Sequence, residues 1–450
     1  MNNEQNRATF VTRMGGIAAA VGSAVGLGNV WRFPYETGAN GGAAFILVYL
    51  CCVILLGLPL VMAELALGRS MHKNAYGTLR TLAPHTLWPV VGILGAVTML
   101  LIVGFYSVVA GWTLAYSVSS VIGDIPEFGT FSSRLWMPLF CMTAFIALNA
   151  IILLGGVRKG IERASNVMMP LLFLMMIVLC INSLLLPKAA DGLKFLFQPD
   201  FSKISVSIVV SALGQAFFSV SVGIGCLLTY GSYLRDSSGL ARSAISIVML
   251  DTLIAILAGI VIFPACFNFN VEPGAGPGLA FITLPDVFMQ MAGGQLWCTI
   301  FFVLLSVAAL TSTLSMFETP IAIMQEEFHL HRRNAVIIVT LIGWVLGIMC
   351  CCSFYPPLTE TFSTLGMTLF DLFDHITACY LMPGCGLLFS LFIGWIMPKQ
   401  KVIDTLTNHG QRSDWFIPLF FFAIRIFAPL CILLIFMSGL GLFDKIIELF

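Results

Sequence analysis

Charge is what this sequence has least of. Only 10% of its 450 residues are Asp, Glu, Lys or Arg, and the formal net charge is zero. Soluble domains carry about 25% charged residues. With 59% hydrophobic residues and a mean hydropathy of +0.98, the chain would aggregate in water, so lipid is its solvent. The zero balance argues against a nucleic-acid partner and against a polybasic membrane patch.

Other absences narrow the chemistry. There is no GxxxxGK[ST] phosphate loop, hence no ATP hydrolysis by that route. No HExxH motif, Ser/His pair or intramembrane carboxylate dyad stands out, and no enzymatic activity is expected. The thirteen cysteines include no Cys-x-x-Cys pair; several are adjacent, as in Cys51-Cys52 and Cys350-Cys351-Cys352, and lie in apolar runs. Metal or disulfide chemistry needs spaced ligands, so they read as small packing residues. Met1 to Thr12 is polar and no small-residue cleavage site follows, so no signal peptide is expected.

What is present is a series of apolar stretches. A membrane helix needs about 20 mostly apolar residues, and such stretches centre near residues 25, 53, 103, 146, 175, 218, 255, 310, 343, 380 and 428. The pattern predicts an all-α integral membrane protein with eleven spans. The final GLFDKIIELF is too short for a twelfth. With the N-terminus cytoplasmic, fifteen Lys and Arg fall on the inner side and five on the outer, while Arg32 and Arg425 lie inside apolar segments. That bias sets the orientation and puts the C-terminus outside. Residues 1–186 then hold the N-terminal cytoplasmic segment and spans one to five, and 187–205 an extracellular connection. Residues 206–397 hold spans six to ten with an extracellular lid at 268–293. A cytoplasmic loop covers 398–412, and 413–450 carries span eleven with a short extracellular tail.

Two spans contain weak points. The first includes GSAVGLGN, residues 22 to 29, with three glycines in seven positions. The sixth includes GQAFFSVSVGIGCLLTYGSY, residues 214 to 233, with a break expected at Ser221 to Gly225. Glycine weakens helices, and unwinding one in mid-bilayer bares amides and carbonyls that lipid cannot satisfy. Each unpaired group costs several kcal/mol. Half-helix N-termini attract anions, while freed carbonyls suit hard cations such as Na⁺. The breaks stand five spans apart, in the first helix of each of two five-helix halves, the pattern of an inverted-repeat transporter. Glycines that only let helices pack closely are the plainer reading, but two matched breaks with polar neighbours argue against it. Arg32, Glu64, Tyr106, Gln215, Asp251, Thr311, Ser312, Glu318 and Asp374 lie in or beside the apolar segments, where polar groups are expensive and usually functional. By depth, Asp374 is the expected partner of Arg32.

These stretches resemble the neurotransmitter:sodium symporters, and among them the bacterial amino-acid transporters. The likeness runs over nearly the whole chain: GSAVGLGNVWRFPYETGANGGAAF at 22–45, GLPLVMAELALGR at 57–69, GFYSVVAGW at 104–112, GQAFFSVSVGIG from 214, the outer FITLP, and AALTSTLSM at 308–316. The resemblance implies a multi-pass protein of the bacterial inner membrane that imports a neutral, hydrophobic amino acid with one or two sodium ions. The first sodium site it implies comprises the Ala24 carbonyl, Asn29, Ser219 and Asp251. The second comprises the Gly22, Val25 and Ala308 carbonyls with Thr311 and Ser312. The substrate carboxylate would meet the amides of Leu27 and Gly28 and the Tyr106 hydroxyl. Its ammonium would meet carbonyls at Ala24, Phe218, Ser219 and Ser221. Ile102, Phe218, Ile224, Ser312 and Met316 would line the side-chain pocket, and no charge there could pair with a charged substrate.

Tyr49, Gln215 and Ser219 match the chloride-holding residues of chloride-dependent relatives, but Asp251 stands where those carry asparagine and Ala255 where they carry serine. A fixed carboxylate replaces the anion, so transport without chloride is expected. The implied outer gate is Arg32 with Asp374, over Tyr106 and Phe218. The inner gate is Arg7 with Glu326, near Tyr233, with Phe10 where many relatives have tryptophan. Two alternatives remain open: a proton-coupled transporter of the same architecture, with Asp251 or Glu64 carrying the proton, and a sensor that binds an amino acid without moving it. The sequence leaves the oligomeric state, the preferred amino acid and the ion count unspecified.

Overall fold

The computed structural model describes residues 8–235, 239–271, 280–411 and 414–440. Helices account for almost all of it, as lipid demands of a backbone that must bond within itself. The one strand pair is a short antiparallel hairpin, β1 (Ser363–Thr364) with β2 (Met367–Thr368).

Helix α1 (Arg13–Ala24) begins where Thr12 caps it, its side chain accepting the Gly15 amide. The Glu162 carboxylate ties down the approach to this cap, accepting the Val11 and Thr12 amides at 2.8 and 3.1 Å. Helix α2 (Gly28–Ala39) follows at a bend of 51°. Then come α3 (Ala43–Met71), α4 (Ala75–Leu82), α5 (Pro89–Ile122), α6 (Trp136–Leu154), α7 (Val157–Leu184) and α8 (Ala189–Phe197). Helices α9 (Val206–Ser219) and α10 (Cys226–Gly231) flank a non-helical gap. The chain continues as α11 (Leu240–Asn268), α12 (Thr283–Met289), α13 (Gly294–Glu327), α14 (Arg332–Cys352), α15 (Leu369–Ile396), α16 (Lys399–Thr407) and α17 (Ile417–Gly439).

Among the described residues, nine helices are long and apolar enough to cross a membrane, and the bent pair α1–α2 makes ten. The interrupted pair α9–α10 stands where hydropathy places the sixth span, an arrangement compatible with eleven. The helical patch expected in the lid is α12. Residues 272–279 of that lid, Arg7 at the expected inner gate and the tail from 441 lie outside the described residues.

Several spans widen locally into π turns. Four of these, Gly28–Arg32, Val53–Gly57, Thr377–Leu381 and Ala423–Phe427, end two residues before Pro34, Pro59, Pro383 and Pro429. Proline has no amide hydrogen and its ring crowds the carbonyl one turn back. A wider turn relieves that clash without ending the helix.

The longest helices, α5 and α13, pack along each other, and α1 lies among α7, α11 and α13 with its end against α10. The core therefore surrounds the two breaks. All thirteen cysteines are free thiols and eleven are buried; Cys51 is exposed and Cys379 partly so.

Candidate functional site

The first break follows Ala24. Val25 leaves the helical region (φ −72°, ψ 110°), and the next amides find partners outside their own helix. Gly26 donates to Asn29 Oδ1 at 3.2 Å and Leu27 to the Tyr106 hydroxyl at 3.0 Å. The second break runs from Val220 to Gly225, where Ser221, Gly223 and Gly225 all take positive φ (53°, 88° and 79°). Two of the three are glycine, which reaches that region without strain. Ser221 reaches across, donating from its hydroxyl to the Ser23 carbonyl at 3.3 Å. The two gaps are thus in contact.

Close approach explains the first-break glycines. A Cβ at Gly26 would sit 2.4 Å from Ser312 Oγ and 2.8 Å from the Tyr106 hydroxyl oxygen, and one at Gly28 would lie 2.9 Å from the Phe218 ring. The residues expected around a substrate, Leu27, Gly28, Tyr106, Phe218 and Ser312, therefore meet at one place. Ile102, Ile224 and Met316 are also buried.

Beside it, five oxygens of the expected second sodium site converge. Thr311 Oγ1 lies 2.9 Å from the Ala308 carbonyl and 3.5 Å from that of Val25. Ser312 Oγ lies 2.9 Å from the Val25 carbonyl and 3.4 Å from that of Gly22. A hard cation takes about six oxygens, carbonyls and hydroxyls among them, and this set is of that kind.

On the opposite flank, Asn29, Ser219 and Asp251 form one buried network. Asn29 Nδ2 donates to Asp251 Oδ1 at 2.8 Å and to Ser219 Oγ at 3.0 Å, while Ser219 Oγ donates to Asp251 Oδ2 at 2.7 Å. Tyr49 adds its hydroxyl to Ser219 at 3.1 Å, and Gln215 Nε2 donates to the Gly28 carbonyl at 3.2 Å. Asp251 is the sole carboxylate in these contacts. Ala24, the remaining residue expected in this set, ends α1 and is buried.

On the side expected to face outward, the Arg32 guanidinium lies 4.6 Å from the centroid of the Phe218 ring, and its Nε is 3.7 Å from Glu36 Oε1. Asp374 is exposed at the same mouth and within electrostatic range of Arg32. The direct ionic contact of Arg32 is with Glu36, four residues along its own helix, a spacing that puts two side chains on one face. On the side expected to face the cytoplasm, Tyr233 donates to Glu318 at 2.8 Å, and Arg332 grips Glu318 with two nitrogens at 2.6 and 2.7 Å. Arg332 also donates to the Leu153 carbonyl. Phe10 packs edge-on against Tyr230 and Tyr233. Glu326 accepts the backbone and side-chain nitrogens of Asn74, each at 2.9 Å; Arg7, its expected gate partner, lies outside the described residues.

Two acidic residues thus have contacts that sequence reasoning did not assign. Glu318 was visible as a charge in an apolar run, and Arg332 opens the next helix after a short loop, the signal that could have paired them. Glu64 of the second span reaches the sixth-span gap and accepts the Gly223 amide.

Comparison with known proteins gives a consistent result. The family model described as Sodium:neurotransmitter symporter family matches residues 7–128 and 130–446. An uncharacterized sodium-dependent transporter, YhdH of Bacillus subtilis (strain 168), is 37% identical over 449 residues, covering 98% of this chain and 99% of that protein. Another, from Haemophilus influenzae, is 32% identical over 461 residues, covering 97% of this chain and 99% of its own length. Among solved structures, the crystal structure of MhsT in complex with L-phenylalanine aligns with a TM-score of 0.88 at 40% identity, covering 96% of this chain and all of MhsT.

Proposed function

Because the chain belongs to the sodium:neurotransmitter symporter family, a family of sodium-dependent membrane transporters, we propose that it imports a neutral, hydrophobic amino acid together with one or two sodium ions, by alternating access and without a chloride requirement. The observation that carries this reading is the contact between two helix breaks, with carbonyls and hydroxyls gathered on one side and a carboxylate on the other. A zwitterion fits between them. Its carboxylate faces the first-break amides and the Tyr106 hydroxyl, and its ammonium faces the carbonyls ending α1 and α9.

The apolar lining of Ile102, Phe218, Ile224 and Met316 favours a hydrophobic side chain, and the L-phenylalanine held by MhsT supports that class. Asp251 supplies the fixed negative charge beside the first ion, which removes the need for an anion. The outer closure combines Arg32, Glu36 and Phe218, with Asp374 at the mouth. The inner closure combines Tyr233, Glu318 and Arg332, and the family resemblance adds the Arg7–Glu326 pair to it. We place the N-terminus in the cytoplasm, the C-terminus outside, and the two five-span repeats within 1–186 and 206–397. Each sodium ion moved down a potential of 100 mV contributes about 2.3 kcal/mol, enough to concentrate substrate without ATP.

Uptake of radiolabelled L-phenylalanine into proteoliposomes tests the reading. Sodium-driven accumulation that survives replacement of chloride by gluconate is expected. Uptake that persists in choline and follows a pH gradient would favour proton coupling. Binding without flux would favour the sensor.

A further inference from the structure

A second cavity, lined by no residue of either helix break, opens on the outer surface of the bundle. It has a volume of about 760 Å³ and lies between α3, the start of α11, the loop after α16, and α17. Its walls are apolar, with Leu55, Leu58, Met62, Ile245, Leu419 and Phe422 prominent. Leu55, Ile245, Leu419 and Phe422 are each between 44% and 60% exposed, so the cavity faces whatever surrounds the protein. Here that is hydrocarbon.

One end of this groove is different. Arg242, Gln411 and Trp415 form its mouth. Trp415 is 77% exposed and stands two residues before α17, the position at which aromatic rings mark a membrane–water boundary. Arg242 is in the first turn of α11 and exposed. Among the described residues, no carboxylate forms an ion pair with it and no acidic side chain lines the groove. The start of α11 has no side-chain cap, and its helix dipole adds to the same positive sign.

Length identifies the occupant. Along α17 the lining runs from Trp415 to Phe427, which is about 18 Å at 1.5 Å per residue. The hydrocarbon core is about 30 Å thick, so the groove is close to one leaflet deep. A transmembrane helix of a partner, or a second copy of this chain, would need the full thickness. A lipid tail needs only half. We propose that this groove is a binding site for an anionic glycerophospholipid of the leaflet on the N-terminal side, its phosphate held by Arg242 with Gln411 and the Trp415 indole, and an acyl chain lying between α3 and α17. The site is separate from the proposed transport pathway and does not depend on what is carried.

Native mass spectrometry of the detergent-purified protein, titrated with dioleoyl phosphatidylglycerol or dioleoyl phosphatidylcholine, tests this. One basic residue facing an anionic headgroup is worth about fivefold in affinity, so the glycerol lipid binds about fivefold more tightly. Arg242→Gln removes the preference and Arg242→Lys retains it. Ile245→Trp, which fills the groove, lowers the binding of both lipids. Circular dichroism and thermal unfolding establish that each variant folds. Equal affinity for the two lipids in the native chain overturns the proposal, as does a preference that survives Arg242→Gln. Glycerol 3-phosphate stabilising the protein as strongly as the intact lipid overturns it in favour of a phosphate site. A dimer mass that Ile245→Trp abolishes overturns it in favour of a second copy.

Discussion

Glu64 accepts the backbone amide of Gly223 at 2.5 Å, joining the second span to the gap in the sixth. Gly223 stands at φ 88°, where its amide has no helical carbonyl to meet. The carboxylate takes over the work of the missing turn. Leaving a buried donor unsatisfied costs about 1–3 kcal/mol. Glu64→Ala therefore lowers unfolding stability by about that amount and weakens amino-acid binding, whereas Glu64→Gln, which keeps an acceptor, retains most of both. Thermal unfolding with and without L-phenylalanine reads the difference. Equal losses in the two variants would show that the hydrogen bond is not the operative contact.

Thr311 and Ser312 present hydroxyls to carbonyls of the first break. Removing a polar contact to a charged partner costs about 1.5–3 kcal/mol, or roughly ten- to a hundredfold in affinity. Thr311→Ala and Ser312→Ala are each expected to raise the sodium concentration for half-maximal uptake by about that factor. Sodium titration of uptake or of equilibrium ²²Na binding measures it. Because Ser312 also touches the substrate region, its variant should lose substrate affinity at saturating sodium, and Thr311→Ala should not.

Gly26 admits no side chain. A methyl group there would press on both Ser312 Oγ and the Tyr106 hydroxyl. Gly26→Ala is expected to fold but to bind amino acid at least tenfold more weakly, as scintillation proximity with a labelled substrate would record. Unchanged binding would place the substrate elsewhere.

Asp251 is the sole acidic group in the Asn29–Ser219 network. Replacing it with asparagine removes the fixed charge beside the proposed first ion while keeping the shape. Asp251→Asn is expected to transport poorly in gluconate and to improve as chloride is restored, and the native chain is expected to be indifferent to the exchange.

Arg332 and Glu318 form a largely buried pair, the Glu318 carboxyl fully enclosed and the Arg332 side chain 20% exposed. Breaking such a pair from one side leaves an uncompensated charge and costs about 3–5 kcal/mol. Arg332→Gln destabilises the inward seal by that order, and a reporter cysteine placed at Thr229 becomes more accessible to a charged thiol reagent from the inner side. The double variant Arg332→Gln with Glu318→Gln, lacking the stranded charge, should recover part of the stability.

Much of this architecture was legible in the residues, and the gaps in legibility have physical causes. Hydropathy located the spans because lipid requires long apolar runs. Glycine density located both breaks because few other residues reach positive φ cheaply. Partners were harder to read. Depth alone made Asp374 the expected mate of Arg32, but depth does not rank two carboxylates at one level, and the nearer contact is Glu36, one helical turn away. Glu318 and Arg332 meet because the chain folds back between α13 and α14, which a hydropathy profile does not reveal. The Glu64 contact crosses 159 positions; nothing local announces it.

A rod with a gap is also a rod with a joint. Each half of the interrupted first and sixth helices can pivot without dragging the other, and the freedom of that pivot is set by what bridges the gap. In the proposed transport cycle, an ion drawing Val25 toward Thr311, or a zwitterion spanning Leu27 and Phe218, would stiffen the very place where bending occurs. Occupancy and mobility would then become one variable, a loaded protein and an empty one differing first in how easily their hinges swing.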